Sequence, residues 1–67
     1  DIEAERVRLD KQIEKVAKDM ASLDKRLGNA NYVNRAPAHV VAETQEKRDS
    51  AHDTLSRLQA ARLELEA

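Results

Sequence analysis

One glycine, Gly28, and one proline, Pro37, stand close together near the middle of this 67-residue chain, and neither residue type occurs anywhere else in it. That placement constrains the fold more than any other feature, because Gly and Pro are the strongest punctuators of helical sequence. Everything before Gly28 reads as one helix over about residues 1–27. Everything from Pro37 reads as a second over about residues 37–66, and residues 28–36 form a tip between them.

The two segments carry matching seams. In the first, Ile2, Leu9, Val16 and Leu23 recur every seven residues at heptad position d, with Arg6, Ile13, Met20 and Leu27 at a. In the second, Val41, Arg48, Leu55 and Arg62 fall at a, and Thr44, Ala51, Leu58 and Leu65 at d. Folding the chain back on itself sets Leu27 against Val41, Leu23 against Thr44 and Val16 against Ala51. It also sets Ile13 against Leu55, Leu9 against Leu58 and Ile2 against Leu65. Met20 faces Arg48, whose methylenes can cover it while the guanidinium reaches water. Arg6 faces Arg62, a like-charged pair that is the worst fault in this register. The sequence therefore predicts an all-α fold, an antiparallel two-helix coiled-coil hairpin over residues 1–67 as a single unit. Fraying or weak self-association is expected at the Arg6 end.

The tip has its own signals. Gly28 suits a left-handed C-cap, with Lys25 and Arg26 placed at the negative end of the first helix. Pro37 suits N1, the first helical position, of the second helix. Asn31 is a candidate cap for a short helical turn. Tyr32 and Val33 are apolar enough to fold over the seam and close it.

Composition narrows what such a chain can do. It is 37% charged with a single aromatic residue, Tyr32, and no cysteine, the mix of long helices rather than of an enzyme core. The chain opens on Asp1 and reads as a fragment of a longer protein. No catalytic residue is expected, since Ser22, Ser50, Ser56, Thr44 and Thr54 have no cavity to sit in. No metal site is expected either, because His39 and His52 lack partners at ligand spacing. No apolar run approaches a membrane span.

Charge placement is more informative. Arg8, Lys11, Lys15, Lys18 and Lys25 occupy positions c and f of the first helix, a basic stripe of about 25 Å at 1.5 Å per residue. Glu43, Glu46, Asp53 and Glu64 give the second helix an acidic outer face. Such charges can serve solvation alone. They can also track a phosphate backbone, read by shape rather than by base, since no aromatic is interleaved with them.

The segment Leu27-Gly28-Asn29-Ala30-Asn31-Tyr32-Val33-Asn34-Arg35-Ala36-Pro37-Ala38-His39-Val40-Val41 resembles the tip of the C-terminal coiled-coil arm of valyl-tRNA synthetases. That family's arm carries Leu, a small residue, Asn, two variable positions, Phe-Val, two more, Ala-Pro, two more, Val-Val and then an acid. Leu27, Gly28, Asn29, Val33, Ala36, Pro37, Val40, Val41 and Glu43 keep this spacing, with Tyr32 where Phe is usual. The family's second helix is often lysine-rich, and here it keeps Lys47 and Arg48.

The resemblance implies a tRNA-binding arm on a parent that joins valine to its tRNA with ATP in the cytoplasm. It implies contact with the outer corner of the tRNA, where the D and T loops meet. Arg8, Lys11, Lys15 and Lys18 along the stem and Lys25, Arg26 and Arg35 near the tip are then the expected RNA contacts. Partners would be a valine-specific tRNA and the remainder of the synthetase, with no membrane. The fragment itself would need no cofactor, and ATP, with a metal ion as an option, would belong to upstream domains. The alternative is a protein-interaction or spacer module, or the coiled-coil arm of another translation-associated ATPase.

Overall fold

The structure, a computed structural model, describes residues 1–66. It contains three helices: α1 (Ile2–Leu27), α2 (Ala30–Arg35) and α3 (Ala38–Glu64). α1 and α3 run antiparallel along a body of 49 × 14 × 13 Å, the hairpin that the paired seams predict.

Local chemistry sets the helix limits. The Asp1 carboxylate accepts the Glu3 N–H at 3.1 Å, and Glu3 and Glu5 lie in the first turn of α1, where the dipole favours anions. Gly28 ends α1, but in the right-handed region, at φ −81° and ψ −7°. The expected left-handed cap is not formed. The Gly28 N–H continues the helical pattern to the Asp24 carbonyl at 2.9 Å, and the Asn29 N–H closes on Arg26 at 3.1 Å. Asn29, rather than Asn31, caps α2, its side chain accepting from Asn31 N–H at 3.0 Å and Tyr32 N–H at 3.4 Å. Ala36 is extended at φ −70° and ψ 146°, the conformation a following proline imposes. The Pro37 carbonyl then accepts the first N–H groups of α3, from Val40 and Val41.

The seam runs the length of the hairpin. Leu9, Thr44 and Leu55 are buried, and the other a and d residues from Arg6 to Leu27 and from Val41 to Leu65 are half-buried. Two helices can cover each other on one side only, so partial burial is the natural state of such a core. Ile2 departs from the expected pattern: it is 61% exposed and does not complete the seam against Leu65. Arg6 takes that place, its Nη2 donating to the Leu65 carbonyl at 2.8 Å. Arg62 turns the other way, to Asp10 at 2.8 Å and Glu66 at 2.9 Å. The expected Arg6–Arg62 conflict is thus removed by giving each guanidinium its own oxygen partners.

Tyr32 folds back on the stem as expected, half-buried, while Val33 stays 39% exposed. No described helix is long and apolar enough to cross a membrane.

Candidate nucleic-acid interface

Position a of a heptad adjoins e and position d adjoins g, so the hairpin has two unlike flanks. On the a/e flank, Arg48 Nε donates to Asp24 at 2.7 Å and Arg62 Nε to Asp10 at 2.8 Å. Each arginine has a second carboxylate nearby, Asp49 at 3.7 Å and Glu66 at 2.9 Å. Both guanidinium pKa values are held above the ordinary arginine value, chiefly by the hydrogen bonds to Asp24 and Asp10. The sign is that of a cation gaining a partner on folding. Its contribution is complete below the ordinary arginine value and lost only as pH climbs through the raised one, far above neutrality. Arg6, also at position a, has Glu3 at 3.8 Å, so three guanidinium groups among five carboxylates leave this flank net negative, each cation paired among the described residues.

The d/g flank is different. A shallow groove between α1 and α3 has Val16, Leu23 and Ala51 in its floor and Asp19, Lys47, Ser50 and Thr54 on its walls. It continues toward the open end past Gln12, Lys15 and Leu58. Toward the tip it passes Ser22 and Arg26. The groove exists because α3 presents small residues, Ser50, Ala51 and Thr54, where α1 presents longer ones.

All seven candidate contacts are exposed, but they are not equivalent. Arg8 is engaged by Glu5, and Lys18 by Glu14 at 3.1 Å. Among the described residues, Lys11, Lys15, Lys25, Arg26 and Arg35 have no ion-pair partner within 4 Å. Lys25 and Arg26 sit in the last turn of α1, and Arg35 in the last turn of α2, so three cations gather at the tip. Of the candidates on the stem, Lys11 and Lys15 are the ones without an ion-pair partner among the described residues. An exposed i,i+4 pair such as Lys18–Glu14 is worth only about 0.3–0.5 kcal/mol, so Lys18 can be recruited at little cost.

The second helix changes the picture drawn from sequence. Arg48 is committed to Asp24 and is not an open cation. Lys47, its neighbour, is exposed and forms no ion pair among the described residues. The signal for it is position g, which adjoins the seam. A count of charges at c and f passes over it. The outer face of α3 is also less uniformly acidic than its Glu and Asp residues suggest, because Arg57 pairs with Asp53 there at 3.1 Å.

The arrangement defines a class: a two-helix arm with one flank committed to cross-helix ion pairs, unpaired Lys15, Arg26 and Lys47 along the other among the described residues, and a cationic tip. The chain belongs to the valyl tRNA synthetase tRNA binding arm family, whose model it matches over residues 1–66. The valine–tRNA ligase of Zymomonas mobilis is 48% identical over 61 residues, covering 91% of this chain and 7% of that protein. That of Nitratidesulfovibrio vulgaris is 40% identical over 60 residues, covering 90% and 7%. That of Thermotoga maritima is 39% identical over 66 residues, covering 98% and 8%. The chain thus spans less than a tenth of the length of these relatives. No solved structure matches it.

Proposed function

We propose that this chain is the tRNA-holding arm of a valine–tRNA ligase, gripping the outer corner of a valine-specific tRNA where the D and T loops meet. The observation that carries the reading is the family match over residues 1–66. The free cations Lys11 and Lys15 on the stem, and Lys25, Arg26 and Arg35 at the tip, supply the phosphate contacts, with Arg8 and Lys18 joining once their intrahelical pairs open. An arm 49 Å long reaches far from any reacting atom. Its contribution is orientation: remote binding energy holds the tRNA so that its acceptor end enters the catalytic domain in register. ATP, any metal ion and the chemistry belong to the rest of that ligase, which would work in the cytoplasm.

The test is aminoacylation by the full-length ligase with Lys11, Lys15 and Lys18 changed together to Glu. KM for tRNA should rise, and the salt dependence of tRNA affinity should flatten by roughly one unit for each phosphate left without its cation. Unchanged KM and salt slope would reject the stripe as an RNA-binding surface.

A second property is proposed for the isolated arm. Ile2 and Leu63, 61% and 65% exposed, lie near the open end together with Val7, and apolar groups in that arrangement favour weak pairing between copies. Sedimentation of the isolated arm should show concentration-dependent dimer that Leu63→Gln abolishes. A monomer at every concentration rejects the pairing.

A further inference from the structure

We infer that the RNA backbone seats along the groove between α1 and α3 on the d/g flank, held by cations of both helices, with Lys47 as the contribution of α3. This deepens the tRNA-binding reading above and rests on it. Lys15 and Arg26 on α1 and Lys47 on α3 rim one continuous groove. Lys15 and Arg26 lie eleven positions apart on α1, about 16 Å at 1.5 Å per residue. None of the three is tied up in an ion pair among the described residues. The small side chains of Ser50, Ala51 and Thr54 let a strand approach between the helices, and the two hydroxyls can donate to phosphate oxygens.

The opposite flank is closed to the same ligand. Arg48 and Arg62 are already matched to Asp24, Asp49, Asp10 and Glu66, Arg6 is held by the Leu65 carbonyl and Glu3, and the surplus of carboxylates repels phosphate. One group opposes the assignment from within. Asp19 lines the groove and has no cationic partner within 4 Å among the described residues. It places a negative charge beside the path and should weaken binding, which makes it a sensitive probe.

The experiment uses the full-length ligase and its tRNA, with four proteins compared by affinity over a salt series: the parent, one lacking the arm, Lys47→Glu and Asp19→Asn. Lys47 and Asp19 are exposed and unpaired in the stem, so neither change should cost helicity, which circular dichroism checks. Loss of the arm should weaken binding. Lys47→Glu should weaken it too, with a fall of roughly one unit in the slope of log affinity against log salt, and Asp19→Asn should tighten it. If loss of the arm weakens binding while Lys47→Glu and Asp19→Asn match the parent, the groove assignment is wrong and the tRNA reading stands. If loss of the arm changes nothing, the tRNA reading itself falls and a spacer role replaces it. A direct readout is independent of affinity. The arm has no cysteine, so an iron chelate can be attached at Ser50→Cys in the groove or at Ser56→Cys, at position b beyond the a/e flank. Hydroxyl-radical cleavage of the tRNA backbone, above that of the unsubstituted enzyme, is expected from position 50 and not from position 56. Equal cleavage, or cleavage from 56 alone, overturns the assignment.

Discussion

The Tyr32 hydroxyl lies 2.8 Å from the Thr44 hydroxyl, and Thr44 donates its own proton to the Val40 carbonyl at 2.9 Å. The direction of the first bond follows from the second: with its only proton committed, Thr44 must accept, so Tyr32 donates. Thr44 is 6% exposed, and this bond is a polar link between the tip helix and the stem. It gives a threonine in the seam a use that an aliphatic residue there would lack.

Removing both partners should therefore cost less than the two single removals added together. Tyr32→Phe, which restores the residue usual in the family, should lower stability by about 0.5–1.5 kcal/mol. Thr44→Val leaves the Tyr32 hydroxyl without its acceptor and should cost about 1–3 kcal/mol. The double variant should be less destabilised than the sum of the two. Urea unfolding of all four proteins measures the coupling, and strict additivity would show that the hydroxyl pair is not a linked unit.

Gly28 should tolerate alanine. Its backbone is right-handed, so no left-handed penalty applies, and helix propensity favours alanine by about 0.8–1.0 kcal/mol. Against this, an added Cβ would lie 3.3 Å from the Asp24 carbonyl oxygen, a tight approach that uses up part of the gain. Gly28→Ala should change stability by less than about 1 kcal/mol. A larger loss in thermal unfolding would mean that the glycine is needed for a conformation other than this one.

Arg6 should be replaceable by methionine with a gain. Its Nε is buried without a hydrogen-bond partner, a defect of about 1–3 kcal/mol. The bond it makes to the Leu65 carbonyl can pass to water at the open end. Methionine fills the same part of the seam with apolar volume, so Arg6→Met should raise the melting temperature. A lower one would mean that the clamp on Leu65 outweighs the unsatisfied nitrogen.

Asp24→Asn and Asp10→Asn should each destabilise modestly, and high salt should shrink both effects, because the pairs are solvent-accessible. The two sites lie fourteen residues apart along α1, roughly 21 Å, so their effects should add. Denaturant midpoints at low and high salt test this, and strong coupling between the sites would contradict it.

Much of the fold is legible in the residues alone. The hairpin follows from two heptad seams on either side of Gly28 and Pro37, because hydrophobic period reports which face is covered. What the period does not report lies at the flanking positions. Pairing a and d against each other brings Arg6 toward Arg62, since an apolar pattern does not offer the e-position acids Asp10 and Asp24 as partners across the hairpin. Lys47 at g is legible as a basic residue of the second helix but not as a contact, because an apolar period does not show which flank a charge faces. The tip differs: Gly28 and Asn31 are both good caps by residue type, and the choice of a right-handed Gly28 with Asn29 as cap depends on how tightly α2 folds back through Tyr32.

The two cross-helix ion pairs also act as a gauge of register. Along α1 the e positions read Glu3, Asp10, Ala17 and Asp24, and along α3 the a positions read Val41, Arg48, Leu55 and Arg62. The observed pairing leaves Ala17 for Leu55, small against large. Sliding either helix by one heptad sets an arginine against Ala17 and Leu55 against an aspartate, two faults at once. Charge thus disfavours the slip that a repetitive apolar seam would permit, and the alignment of one helix on the other is biased to a single value.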